Sequence, residues 1–181
     1  MVLSAFGVFL VPLIAAAQQG KPTVYDVEAT YLYQFAKFVQ WPGGNRSADQ
    51  SASFTICVLG RDPFGPILDS TVKGESVGNA PITVKRIASG EDVGACQIVF
   101  IAASEENRLA RTLMPLAKLP TLTVSDIPNF ADHGGMIGLL LMDNRVRFEV
   151  NLSNAQSAGL MLSSQLLKVA ISVKGQPDSQ K

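Results

Sequence analysis

The chain has 181 residues with 15 basic and 15 acidic side chains, one histidine and two cysteines, so its formal net charge is zero. A domain that binds nucleic acid gathers a basic surplus on one face to displace counterions; the densest basic cluster here is Lys85-Arg86, which excludes DNA and RNA as partners. The length suits a single domain that buries about two thirds of its unfolded surface.

Residues 1–17, MVLSAFGVFLVPLIAAA, carry no charge and close on Ala15-Ala16-Ala17. That is the form of a secretory signal peptide, too short for a bilayer span, although the basic residue usual at its start is missing. Removing it leaves the net charge at zero and no further run long enough to insert in a membrane. One domain is expected over 24–175, followed by a disordered tail at 176–181. Tyr25 to Pro42, YDVEATYLYQFAKFVQWP, places Val27, Tyr31, Phe35 and Phe38 at helical spacing, with Leu32, Ala36 and Val39 widening the stripe. Polar character is confined to Asp26, Glu28, Gln34, Lys37 and Gln40, and Pro42 is expected to end the helix at Trp41.

A polar loop from Gly43 to Ser53 precedes Phe54 to Leu59 (FTICVL), a continuous apolar run of the kind covered on both faces of a sheet. A turn at Gly60 to Pro66 and a brief helix from Ile67 to Val72 follow. Strands are expected at Pro81 to Ile87, Cys96 to Ala102 and Leu119 to Val124, with a helix capped by Ser104 and running to Lys118. Met136 to Met142 and Arg145 to Val150 flank Asp143-Asn144, a two-residue connection fit for a tight hairpin. Ser153 and Gln156 fit a capping box, and Ala155, Ala158, Leu162, Leu166, Val169 and Val173 form the stripe of one final helix ended by Gly175 and Pro177. The order predicts an α/β fold: a single mixed β-sheet flanked by helices, ending in a β-hairpin and a C-terminal helix.

Catalytic signatures are missing. GRDPFGP is followed by Ile67, not the Lys-Ser/Thr pair of a phosphate loop, and there is neither a dinucleotide fingerprint nor a nucleophile elbow. His133 alone is a poor basis for a metal site or a triad. No cofactor and no enzymatic activity are expected. Cys57 and Cys96 lie in strand-like runs without C-x-x-C spacing; in an exported protein an even pair reads first as a bridge, with two buried thiols as the alternative.

The opening helix with its Trp-Pro stop, FTICVLGRDPFG, CQIVFIAASEE, LTVSD followed by FADHGGMIGL, and RVRFEVNLSNAQSAGLMLSSQLLKVA together resemble the YfiR family of periplasmic proteins over roughly residues 24–174. The resemblance implies a small periplasmic α/β protein, commonly a homodimer, that binds the periplasmic domain of a membrane diguanylate cyclase and represses it. It also implies a disulfide between Cys57 and Cys96. The second cysteine pair of some members has no counterpart near FADHGGMIG. Tyr33, on the polar side of the first helix, is the candidate partner contact, against the plainer reading that it covers a neighbouring loop. Two other functions stay open: an envelope domain binding a small molecule or peptide near Asp62, Ser104 and Asp126 at the strand ends, and a thiol-disulfide enzyme using the two cysteines.

Overall fold

Continuous apolar strands need cover on both faces and alternating strands on one, and this chain supplies both kinds. The computed structural model describes residues 21–42, 53–88 and 93–175; the expected signal peptide at 1–17, the tail at 176–181 and nearly all of the loop after the first helix lie outside the described residues. In chain order the elements are α1 (Val24–Phe38), β1 (Val39–Gln40), β2 (Phe54–Leu59), α2 (Pro66–Val72), β3 (Ser76–Val77), β4 (Ala80–Ile87), β5 (Ile98–Ile101), a 3-10 segment (Ala103–Arg108), α3 (Leu109–Leu116) and β6 (Leu122–Ser125). β7 (Ile137–Met142), β8 (Arg145–Asn151), α4 (Leu152–Ser157), β9 (Met161–Leu162), α5 (Ser164–Val169) and β10 (Ser172–Lys174) complete it.

Eight strands form one mixed sheet in the order β10-β8-β7-β6-β5-β2-β4-β3. β4, β2, β5, β6 and β7 run parallel, β7 and β8 form the antiparallel hairpin, and β10 returns parallel to β8. The α/β class and the mixed sheet with flanking helices are as expected from the sequence. Alternate residues of the central strands serve two cores. Ile56, Val58, Ile98 and Phe100 pack with Leu32, Phe35 and Ala36 of α1, while Cys57, Leu59, Val99 and Ile101 pack with Leu109, Leu113 and Leu116 of α3.

Aromatic rings fix α1 on the first face. Tyr31, Phe35 and Phe148 of β8 form a mutual cluster with centroids 5.3–5.8 Å apart. The hairpin turn is of the tight, primed kind, because Asp143 and Asn144 both hold left-handed conformations (φ 48° and 58°). In β8, Val146, Phe148 and Val150 are buried between more exposed neighbours, the alternation of a strand with one wet face.

Three helix expectations are corrected. α1 stops at Phe38, three residues before Trp41, because Val39 is extended (φ −111°, ψ 142°) and β1 pairs antiparallel with β9. Trp41 still anchors the exit: its indole N–H donates to the Gln97 carbonyl at 3.2 Å and its ring meets Phe54 edge-on. Ser104 does not cap a helix, since its Oγ accepts the Arg61 N–H at 2.9 Å and the chain winds as a 3-10 segment before α3 begins.

The stripe from Ala155 to Val173 is not one helix. α4 is capped by Asn151, whose side chain accepts the Asn154 N–H, in place of the expected Ser153 box, and it ends in a Schellman motif. There the Gly159 N–H bonds the Gln156 carbonyl and the Leu160 N–H the Ala155 carbonyl, both at 2.9 Å. Gly159 holds φ at +77°. α5 then starts at its own cap, Ser163, and the last residue of the stripe, Val173, lies in β10.

Gly159→Ala is therefore expected to destabilise the protein by about 1 kcal/mol or more, from the left-handed backbone and from a Cβ placed 3.2 Å from Pro42 Cγ. Denaturant unfolding measures this, and an unchanged midpoint would show that the stop does not depend on the glycine.

Candidate functional site

The parallel strands β4, β2, β5 and β6 end on one edge, and the chain crosses from β2 to β4 on one side and then to β5 on the other. That reversal opens the place where open α/β sheets usually hold ligands. Here the crevice is packed. A Cβ at Gly60 would lie 2.5 Å from Ser104 Oγ and 2.7 Å from Glu105 Oε1, so the β2 and β5 exits close on each other. Phe64 is 1% exposed, stacked edge-on against Phe100 at 4.7 Å and against Tyr25 at 5.9 Å.

The three residues singled out for ligand binding do not converge on one open site. Asp62 turns toward β4, accepting the Phe64 N–H at 2.8 Å and the Arg86 Nε–H at 2.9 Å. Arg86 also bonds Asp69 and the Gly65 carbonyl; its hydrogen bond holds the Asp69 carboxyl below the usual range. Ser104 is used by the Arg61 N–H. Asp126, just beyond β6, has Oδ1 buried without a hydrogen-bond partner, and burial raises its pKa.

Across from Asp126 is Glu28 of α1, a residue that sequence reasoning counted among the polar positions of the helix. It is 3% exposed, its Oε2 has no hydrogen-bond partner, and burial together with the Asp126 charge pushes its pKa up to about 8. The signal was present in the spacing: positions 28, 32 and 35 share one face. Tyr25, one turn earlier, is also raised, first by burial and then by these two carboxyls.

Beside this edge runs an open groove of about 630 Å³ between the 3-10 segment and the β6–β7 connection. Asn107, Arg108, Arg111, Ile127, Pro128 and His133 line it. Arg108 is bound through Nε and Nη2 to the buried carboxylate of Glu105 at 2.7 and 2.9 Å. His133 is exposed on the rim. Among the described residues no group of three or more His, Cys, Asp or Glu could hold a metal ion, and no helix is long and apolar enough to cross a membrane.

Tyr33 is half-buried, with its hydroxyl donating to Glu75 just before β3. The Lys37 ammonium sits 4.2 Å from its ring centroid and 3.8 Å from the Glu75 carboxylate. Cys57 and Cys96 form a disulfide between β2 and the lead into β5, their Cα atoms 5.8 Å apart. At 0% and 2% exposure, lodged in the core beneath α3, both sulfurs are withheld from an attacking thiolate, on which exchange depends.

The model of a family described as YfiR/HmsC-like matches residues 25–171 of the chain. The match begins inside α1 and ends just before β10, so it takes in the packed edge, the disulfide, Tyr33 and the groove.

A Cys57→Ala/Cys96→Ala double variant is expected to lose about 2–4 kcal/mol of stability, as for a loop of this length. The native protein should keep the bridge in a reductant concentration that opens it in denaturant. Rapid reduction of the folded protein, followed by thiol labelling, would contradict the burial argument.

Proposed function

The chain therefore belongs to the YfiR/HmsC-like family, and we propose that it is a periplasmic negative regulator. It binds the sensor domain of an inner-membrane diguanylate cyclase and lowers cyclic di-GMP signalling. The observation that carries this reading is the family match across nearly the whole folded domain. A packed strand edge and a buried disulfide are consistent with it, because such a regulator works through its surface and needs neither a cofactor nor a catalytic group.

Repression of this kind is differential binding. The regulator shifts the cyclase only by as much as it prefers the inactive state, and a hundredfold preference corresponds to about 2.7 kcal/mol. In this reading the protein reaches the periplasm by way of the leader at 1–17, acts as a homodimer, and contacts the cyclase through the polar side of α1. Tyr33 is the proposed contact, with Lys37 and Glu75 beside it. The groove lined by Arg108, Arg111 and His133 favours a second reading, an envelope domain that binds a small molecule or peptide.

Pull-down of the oxidised protein with the periplasmic domains of membrane diguanylate cyclases from the same cell is expected to recover one of them, and Tyr33→Ala to weaken that capture without a large loss of stability. Failure to capture any cyclase domain would sink the regulatory reading. A metabolite that raises the thermal midpoint, with the effect lost in Arg111→Ala, would then support the second. Unchanged capture and stability in Tyr33→Ala would remove Tyr33 from the interface.

A further inference from the structure

We propose that Glu28 and Asp126 form a proton-dependent latch that holds the first turns of α1 against the carboxyl end of β6 and releases them when the pair ionises. Two carboxyls nearly a hundred residues apart in the chain lie near enough for the Asp126 charge to act on Glu28. Glu28 is 3% exposed and Asp126 half-buried, and each has one oxygen that is buried and without a hydrogen-bond partner. Burying a single unpaired charge is costly, and burying two of like sign together is worse, so such a site keeps at least one proton.

The surrounding groups do not relieve this. Tyr25 on α1 is a neutral phenol whose own ionisation is opposed by the same two carboxyls. Asp26, on the outer side of the helix, is engaged by the Thr23 cap. From the β2 exit, Asp62 is committed to Arg86, and Arg61 is exposed. From the 3-10 segment, Glu105 is bound by Arg108. No cation among the described residues is paired with Glu28 or Asp126.

The sign of the pH effect follows from linkage. Folded Glu28 keeps its proton up to about pH 8, whereas an unfolded glutamate loses it near about pH 4.3. Between these values the native state binds more protons, so the latch is at full strength below the lower value, weakens as the pH rises, and has lost its contribution above the upper one. Opening would free Tyr25 from Phe64 and uncover the packed edge between the β2 and β5 exits.

Two measurements on the full chain test this. The N–H groups of residues 27–31 close the first turns of α1. Their amide hydrogen exchange, corrected for intrinsic base catalysis, is expected to lose protection as the pH rises from about 4 toward about 8, by up to about tenfold per unit, and to level off above it. In Glu28→Gln the same protection should be flat with pH. Carboxyl-carbon NMR of the wild-type protein should give Glu28 a titration midpoint near 8, lowered in Asp126→Asn, which serves also if Glu28→Gln fails to fold. A Glu28 midpoint of about 4–5, the usual glutamate range, would overturn the latch. So would protection that is independent of pH in the wild type, or that varies identically in wild type and Glu28→Gln.

Discussion

Burial of β2 on both faces is the constraint on which the rest of the structure depends. With Ile56 and Val58 turned to one side and Cys57 and Leu59 to the other, the strand cannot sit at an edge, and each face demands its own layer of helix. α1 answers on one side and α3 on the other. Each large side chain removed from water in this way contributes about 1.5–3 kcal/mol, which is why Phe35, Phe100 and Phe148 sit at full burial where the layers meet. The disulfide adds a covalent tie inside the second layer, reducing the freedom of the unfolded chain in the segment that supplies both β2 and β5.

Much of this order is legible in the residues because the central strands are uninterrupted and the outer strand β8 alternates. FTICVL has only Thr55 to turn toward water, whereas RVRFEV has a polar position at every second place. The last segment misleads for a physical reason: Ala155, Ala158, Leu162 and Leu166 keep a helical spacing across a stop that depends on one glycine backbone. Gly159 is ordinary in composition and decisive in conformation. The end of α1 is obscured in a similar way, since Val39 fits the helical stripe yet finds a strand partner some 120 residues away that no local pattern announces.

The polar residues were harder to place than the apolar ones. Asp62, Ser104 and Asp126 all stand at strand exits, as the sequence order implies, but Asp62 is taken up by Arg86 of β4, Ser104 by the Arg61 N–H at the β2 exit, and Asp126 keeps an unpartnered Oδ1. Glu28 shows the converse. A carboxylate on the buried stripe of a helix contradicts the usual partition of side chains, and such a contradiction is more informative about function than another buried leucine. Under the regulatory role proposed for the chain, this arrangement of groups would make binding responsive to pH.

The short ladder between β1 and β9 has a consequence for how the domain assembles. It joins residues 39–40 to 161–162, and the Ser163 N–H reaches back to the Phe38 carbonyl at 2.9 Å, so the two ends of the chain must meet before either is complete. The β7–β8 hairpin, by contrast, closes across two residues. Closure of long loops costs entropy before it gains contacts, which favours the local hairpin ahead of the long-range clasp between β1 and β9. The domain therefore cannot be completed before residues 161–163 are available to the end of α1, wherever the chain folds.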